Sequence, residues 1–307
     1  MKTTSFFKKA LTLVAIVSLG AVISCTEDDL ALQQEAADVA EDAITDYFFE
    51  DADDMTGLVM VADNGSYEYE GGRIASSRTI QIQGDSRICN GVTITVTIDE
   101  GSTNENPSGT ITIDFGDGCQ DVLGNVRKGK IIITFSGKKF LPGSTIVTTF
   151  DGYSINDIQL SGIRTLTNIT DSNVSAPKFR VELENGKAIW PDATEATREH
   201  CFVRTWQRGG NPSLDAMVVD KCTNNDSWPH DYTAAGENRR GRAYTMTILE
   251  PLVYKRGCPI AVEGVKQFVD VATGKVVTVD YGDGACDRII TISVDGNSRS
   301  VNVGRRG

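Results

Sequence analysis

The chain has 307 residues, of which 40% are hydrophobic and 23% are charged, and it contains 30 glycines, 8 prolines and 7 cysteines. This composition is typical of a globular protein with a sizeable core, and it excludes collagen-like and proline-rich disordered chains. A net charge of -12 argues against a nucleic-acid partner, because binding to phosphates needs clustered lysine and arginine.

The N-terminus, residues 1–24, has the pattern of a secretory signal peptide. Three lysines in the first nine residues precede the apolar run Leu11 to Ile23, which is shorter than the roughly 20 residues of a bilayer-spanning helix. The run ends in Val22-Ile23-Ser24-Cys25, which is similar to the lipobox of bacterial lipoproteins. The resemblance implies cleavage before Cys25 and lipidation of that cysteine, whose acyl chains would anchor the protein to a membrane.

The residues after the lipobox are acidic. Thr26-Glu27-Asp28-Asp29 resembles the short export signal of Bacteroidota lipoproteins displayed on the outer face of the outer membrane. The resemblance implies a protein of a Gram-negative bacterium, lipid-anchored in the outer membrane, at the cell surface rather than on the periplasmic face.

Residues 25–72 are predicted to form a lipid-anchored acidic helix and a connector. The segment Leu30 to Asp54 lacks glycine and proline and repeats apolar residues at helical spacing. Its last turn is rich in acids, which the helix dipole disfavours at that end, so we expect this turn to fray. We expect the connector to run from Gly57 to Gly72.

Residues 73–307 are predicted to form a single β domain. Apolar and polar residues alternate there with a period of two, which is typical of half-buried antiparallel strands. Turn sequences such as Pro142-Gly143, Asn156-Asp157 and Asn185-Gly186 separate the strands. The strands are predicted at 92–98, 110–115, 130–136, 144–150, 163–168, 179–184, 201–206, 243–249, 265–271, 275–281, 290–294 and 299–303.

The predicted fold class is therefore all-β, a large antiparallel meander with one short N-terminal helix. Twelve or more strands in an open sheet must curl or split into two layers, so the meander is either a two-layer sandwich or a curved half-barrel. The strand 130–136 contains three consecutive isoleucines. If both of its faces are apolar with no second sheet to cover them, a half-barrel that carries an apolar ligand on its concave face is favoured.

Two segments, 87–136 and 256–296, form an internal repeat. Each places two cysteines 30 or 28 positions apart, and the second cysteine ends an Asp-Phe-Gly-Asp-Gly-Cys or Asp-Tyr-Gly-Asp-Gly-Ala-Cys motif. Six cysteines allow 15 connectivities. The repeat favours the pairing Cys89–Cys119, Cys258–Cys286 and Cys201–Cys222.

The repeated Gly-Asp-Gly turn is similar to that of polycystic-kidney-disease (PKD) domains. These domains have a tryptophan two residues before the aromatic residue, where this chain has Ile113 and Val279, so the similarity is limited to the turn. Over most of its length the chain resembles uncharacterised flavobacterial-type outer-membrane lipoproteins of Bacteroidota. That resemblance implies no activity.

The duplicated aspartates are the candidate metal site. Ca²⁺ takes 6 to 8 oxygen ligands, and acidic oxygens in a glycine-rich turn are one way to supply them. Alternatively, these aspartates accept hydrogen bonds from the local backbone and the glycines supply positive φ. The candidate ligands are Asp114, Asp117, Asp121, Asp280, Asp283 and Asp287. Zinc is not expected, because there is no Cys-x-x-Cys motif and there are only two histidines.

The sequence contains no recognisable catalytic motif. A glycosidase needs only two carboxylates, so that activity stays open. Trp190, Trp206 and Trp228 are interpreted as core residues or as a stacking platform for a sugar or another aromatic ligand. The cluster Arg239-Arg240-Gly241-Arg242 is interpreted as a solvated turn or a partner for nearby acids rather than a binding patch.

We therefore expect a lipid-anchored, non-enzymatic envelope protein that is structural or binds a ligand. One alternative is a carrier of lipid or another apolar ligand, and a second is a surface protein that binds or degrades glycans. No cofactor other than calcium is expected, and the only predicted partner is the membrane, through the lipid anchor.

Overall fold

The computed structural model shows one large antiparallel sheet and one helix. It describes residues 39, 43, 45–59, 69–70, 73–74, 77–82, 87–89, 91–122, 124–171, 176–207, 216–223, 228–256, 258 and 260–302. The predicted signal peptide, Cys25 and the acidic export signal lie outside these residues.

Helix α1 covers residues 45–59, and residues 39 and 43 are also helical. Phe49, Ala52, Met55 and Val59 recur at helical spacing and are fully buried. The prediction that the turn around Asp54 frays is wrong, because the burial of Met55 and Val59 against the sheet continues the helix beyond it. Within the described residues, no helix is both long enough and apolar enough to span a membrane.

Eighteen strands follow the helix in the described part of the chain. They are β1 (Tyr69–Glu70), β2 (Arg73–Ile74), β3 (Ser77–Ile80), β4 (Thr93–Ile98), β5 (Ser108–Asp114), β6 (Cys119–Gln120), β7 (Val126–Ser136), β8 (Thr145–Ile155), β9 (Ile158–Asn168), β10 (Lys178–Ile189), β11 (Glu195–Gln207), β12 (Ala216–Lys221), β13 (Ala234–Glu237), β14 (Ala243–Lys255), β15 (Glu263–Asp270), β16 (Val276–Asp283), β17 (Ile289–Val294) and β18 (Asn297–Asn302). Every predicted strand coincides with an observed one.

The sheet is a meander, which confirms the predicted fold class. Strands β3 to β18 form one 16-stranded antiparallel sheet in which neighbours in the chain are neighbours in the sheet, with two local exceptions. Strand β13 pairs with β11 and β14, and β6 pairs only with β7. Strands β1 and β2 form a separate two-stranded sheet.

One face of the sheet carries the core, and α1 packs on that face. The first core cluster joins α1 to β4, β5 and β7–β10. The second joins the inward residues of β10–β17, and Val39 packs against it. The layer that covers the first cluster is thus a helix rather than a second sheet, which favours the curved half-barrel over the two-layer sandwich.

Strand β7 shows how the two faces of the sheet differ. Ile131 and Ile133 are fully buried on the helix side, whereas Ile132 points to the other side between Lys130 and the exposed Thr134. The outer face of β7 is therefore mostly polar, so this strand lacks the two apolar faces by which the carrier hypothesis was to be recognised.

Glycines allow the strands to bend where they approach each other closely. Asn185-Gly186 is not the hairpin turn that its sequence predicts but a bulge inside β10. A Cβ atom at Gly162 would lie 2.9 Å from Gly186 Cα, so the two backbones touch there. Asn156 and Asp157, with φ of 52° and 62°, do form the predicted turn, between β8 and β9.

The three predicted disulfides are all present. Their Cα–Cα distances are 5.9, 5.6 and 5.4 Å, within the usual range. The pairs are Cys89–Cys119, Cys201–Cys222 and Cys258–Cys286.

Candidate functional site

The contact between α1 and the sheet is ionic as well as apolar. Glu50 and Asp53 lie one turn apart on α1, and each of them contacts an arginine from β9 and another from β11. Arg164 Nη2 is 3.0 Å from Glu50 Oε1, and Arg204 Nη1 is 2.7 Å from Asp53 Oδ2. Arg204 also pairs with Glu50. The four side chains form one cluster that fixes α1 over these strands.

A second buried ionic contact, made by one arginine and two aspartates, lies on another side of α1. Arg127 of β7 is fully buried between Asp51 of α1 and Asp121, with Nη2 2.8 Å from Asp51 Oδ1 and Nη1 2.6 Å from Asp121 Oδ2. Burial alone would lower the pKa of Arg127, but the charge of Asp51 and the hydrogen bond to Asp121 raise it above its usual value. The guanidinium is therefore a permanent charge inside the core.

His200 lies beside this network in the interior. Its Nδ1 accepts a hydrogen bond from Arg198 Nε at 3.4 Å, and its Nε2 lies 3.5 Å from Arg164 Nη1. Burial and the neighbouring charges of Arg164 and Arg198 lower the pKa of His200 well below 6.5. The imidazole is therefore neutral at pH 7.

The carboxylates on α1 are held in their charged form. Burial alone would raise the pKa of Asp53, but Arg164 and Arg204 outweigh it and bring that pKa well below 3.8. The pKa of Asp46 is likewise lowered, because Arg198 and Lys266 outweigh the effect of burial. These two acids neutralise arginines and hold no proton near neutral pH.

A pocket of about 430 Å³ opens beside the ionic cluster. It lies between the C-terminal half of α1, the β7–β8 loop at 137–144, and strands β8–β11. We call it the aromatic pocket. Its apolar wall is made by Leu58, Phe140, Ile146, Leu166, Phe179 and Trp206.

Two aromatic side chains at the mouth of the aromatic pocket remain open to solvent. Phe140 is 48% exposed and Trp206 is 41% exposed. The ring of Phe140 packs edge-on against Phe179, with 6.0 Å between centroids. Asn168 Nδ2 donates a hydrogen bond to the Lys139 carbonyl at 2.9 Å, and this bond holds the loop in place.

A smaller cavity of about 130 Å³, the inner cavity, lies toward the second core cluster. Met217, Met246 and Tyr254 contribute to its wall, and Arg204 lines both spaces. Since Glu50 lines the inner cavity and Asp53 lines the aromatic pocket, the ionic cluster separates the two.

Four of the six aspartates of the repeat have partners in or beside the turns, and Asp117 and Asp283 are exposed. Asp114 Oδ1 accepts a hydrogen bond from Gly116 N and Asp280 Oδ1 accepts one from Gly282 N, both at 2.8 Å. Asp121 pairs with Arg127, and Asp287 Oδ1 accepts a hydrogen bond from Ile289 N. The described part of the chain contains no group of three or more His, Cys, Asp or Glu side chains that could hold a metal ion, so it lends the calcium hypothesis no support.

The three tryptophans lie in different surroundings. Trp190 packs against the first core cluster under Arg239, whose guanidinium carbon is 4.4 Å from the ring centroid. Trp206 lines the aromatic pocket, and Trp228 contacts the rings of His230 and Tyr232. Among the described residues, no two tryptophans are in ring contact, so they form no joint platform.

The predicted basic turn is tied to neighbouring acids. Arg239 Nη2 donates a hydrogen bond to Asp192 Oδ2, and Arg242 Nη2 donates one to Asp270 Oδ2, both at 2.8 Å. The turn is therefore partnered by carboxylates rather than presented as a binding patch.

Of the residues that line the aromatic pocket, the sequence pointed only to Trp206, as a core or stacking residue. Lys139, Phe179 and Trp206 belong to three separate elements that only the fold brings together. One available signal was the spacing of Asp46, Glu50 and Asp53, which places three acids on one helix face and indicates a basic partner surface.

Comparison of the chain with protein-family models, curated proteins and solved structures finds no match.

Proposed function

We propose that the protein is a lipid-anchored protein of the outer-membrane surface that binds an apolar or amphipathic small molecule in the aromatic pocket. The observation that carries this proposal is the pocket itself. Its volume of about 430 Å³ falls within the 300–1,000 Å³ usual for small-molecule sites, and a mostly apolar wall with a few polar groups is typical of them.

The exposed aromatic side chains support a ligand that covers them. Phe140 and Trp206 leave large apolar surfaces in water at the mouth of the pocket. Burying apolar surface contributes about 25 cal/mol per Å², so an apolar ligand seated against both rings gains binding energy without a rearrangement of the core.

The charges around α1 bear on the choice between a binding role and a catalytic one. A glycosidase needs a carboxylic acid whose raised pKa lets it donate a proton. Burial raises the pKa of Asp54, which also lines the aromatic pocket, whereas Asp46 and Asp53, which line the two spaces, have lowered pKa values. Their role in the proposal is to hold α1 on the sheet and so to shape the pocket.

The expected lipid anchor would keep the pocket near a membrane. Residue 45, the first of the continuous described stretch of α1, lies 20 positions after Cys25, and a fully extended chain of that length spans at most roughly 70 Å. A site within that reach of the membrane suits a ligand that partitions between membrane and protein.

The test is a titration of the full-length Cys25→Ala protein with N-phenyl-1-naphthylamine, a neutral apolar dye that fluoresces when bound. We expect saturable one-to-one binding that is weakened at least tenfold in Phe140→Ser and Trp206→Ser. Leu249 is 50% exposed on β14 and does not line the aromatic pocket, so Leu249→Ser is the matched control. Absence of saturable binding, or equal losses in all three variants, would overturn the proposal.

Glycan binding is a second candidate, favoured by one specific observation. The rings of His230 and Tyr232 are stacked, with centroids 4.6 Å apart, and Trp228 packs edge-on against His230. His230 is exposed and offers a ring face on which a sugar can stack. A glycan array on which the wild-type protein binds and His230→Ala does not would support this candidate, and an array without binders would exclude it.

A further inference from the structure

Lys139 stands out among the charged residues of the aromatic pocket. It lies at the tip of the β7–β8 loop and is half-buried. Within the described chain, Lys139 Nζ has no carboxylate oxygen within the 4.0 Å of an ion pair, whereas the neighbouring arginines do.

The charges around the pocket leave one positive charge uncompensated. Arg164 and Arg204 share Glu50 and Asp53, and Arg87 Nη1 lies 3.5 Å from Asp54 Oδ2. Among the described side chains, three carboxylates thus face these three arginines, and Lys139 is the fourth cation. Its charge is the one left for a ligand to neutralise.

The position of Lys139 suits the head group of a ligand. A Cβ atom at Gly57 would lie 3.5 Å from Lys139 Nζ, so the ammonium group lies over the last turn of α1. Lys139 Nζ is also 5.9 Å from the centroid of the Phe140 ring. The cation therefore adjoins the apolar wall, and a ligand that reaches both needs a charged end and an apolar body.

The electrostatics of Lys139 agree with this arrangement. Burial lowers the pKa of Lys139, and the nearby charges of Asp53 and Asp54 offset that effect only in part. An anion bound at Nζ would stabilise the charged form of this lysine, since a hydrogen bond between two ionised groups is stronger than one between neutral groups.

We infer that the aromatic pocket selects a single-chain amphiphile with one negatively charged head group, whose head binds Lys139 Nζ and whose apolar body lies against Phe179 and Trp206. A fatty acid is the simplest molecule of this class. The inference rests on the proposed function, because it names the class of ligand that the same pocket takes.

The experiment compares three probes that share a ten-carbon chain and differ only in the head group: decanoate, decanol and decylammonium. Each displaces the dye from the full-length Cys25→Ala protein at pH 7.5. We expect decanoate to bind roughly tenfold more tightly than decanol, and decylammonium to bind most weakly. In Lys139→Met the advantage of decanoate over decanol should fall below twofold, while decanol binds as before. Lys138 is the exposed neighbour, so Lys138→Met is the control and should keep the preference.

The outcomes separate the inference from the proposed function. Equal binding of decanoate and decanol, or a preference that survives in Lys139→Met, overturns the anionic head group and leaves the apolar site standing. The inference is also overturned if the protein binds the dye only at the aromatic pocket and none of the three probes displaces it. If even the dye does not bind, the proposed function fails. If Lys139 serves only to complement the C-terminal end of α1, Lys139→Met lowers the melting temperature without changing the preference, which again overturns the inference.

Discussion

Arg127 of β7 and Asp51 of α1 form a buried ion pair across 76 positions of the chain, with Arg127 Nη2 2.8 Å from Asp51 Oδ1. The pair fixes the position of the helix on the sheet, because a helix shifted by one turn would leave the fully buried guanidinium without this partner. The position of α1 in turn sets the width of the aromatic pocket, which the helix lines with its C-terminal half.

Removing one partner of that pair should destabilise the protein strongly. We expect Asp51→Ala to lower the free energy of unfolding by about 2–3 kcal/mol, because the buried guanidinium keeps Asp121 but loses the hydrogen bonds of its Nε and Nη2 to Asp51. Urea unfolding measures the change. The control is Lys128→Ala, which removes the exposed Lys128–Asp157 pair from its β7 side and should cost less than about 1 kcal/mol. Similar losses in the two variants would contradict the structural role of Asp51.

Two of the three disulfides should be reduced in a defined order. Cys201 and Cys222 are buried, with exposures of 0% and 7%, whereas Cys286 is exposed. Thiol–disulfide exchange depends on access to the sulfur. With limiting dithiothreitol and mass spectrometry of alkylated peptides, we expect Cys258–Cys286 to open before Cys201–Cys222. The reverse order, or simultaneous opening in the folded protein, would contradict the observed burial.

Gly129 and Gly152 face each other in the β7–β8 pairing and should respond differently to alanine. Both have positive φ, but a Cβ at Gly129 would lie 2.3 Å from the Gly152 carbonyl oxygen, whereas one at Gly152 meets nothing within 4 Å. We expect Gly129→Ala to lower the free energy of unfolding by about 3 kcal/mol or more, because backbone strain and a steric clash both act on the new side chain. Gly152→Ala should cost about 1–2 kcal/mol from strain alone. Equal costs in chemical denaturation would argue against this close approach.

The buried imidazole of His200 should make stability depend on pH. Its pKa in the folded protein lies well below 6.5, so below pH 6.5 the unfolded chain binds a proton that the native state does not. Stability therefore falls with falling pH, by up to about 1.4 kcal/mol per pH unit between pH 6 and 5. Below that range, protonation of Asp46 and Asp53 adds a further loss, because their folded pKa values lie below 3.8.

The variant His200→Gln should remove the dependence of stability on pH between pH 6 and 5. Above pH 7.5, residue 200 should contribute no pH dependence in either protein. Urea unfolding of both proteins across pH 5–8 provides the comparison. A slope that persists unchanged in His200→Gln would assign the pH dependence to another group.

Local patterns predicted much of the fold. Alternation predicted the central strands because one face of the sheet is buried, as Ile131 and Ile133 show in β7. The duplicated spacing of the cysteines predicted the disulfides because the two related segments form related turns, in which Asp114 and Asp280 each accept a hydrogen bond from a glycine two residues on.

Features that depend on distant partners could not be predicted from local sequence patterns. The acids near the end of α1 suggested fraying when only the helix dipole was considered, but Arg164 and Arg204 lie more than 100 positions away and stabilise them. Asn185-Gly186 has a hairpin signature, yet the approach of Gly162 turns it into a bulge. The aromatic pocket combines single residues from separate strands, and no periodicity marks them.

The most direct test of the ligand site is a crystal structure of the full-length Cys25→Ala protein grown with 10-bromodecanoate, in which anomalous scattering locates the bromine. We expect one bromine against Phe179 and Trp206, with the carboxylate within about 4 Å of Lys139 Nζ. A bromine bound elsewhere on the protein, or an aromatic pocket without the amphiphile at a concentration that saturates dye displacement, would contradict this expectation.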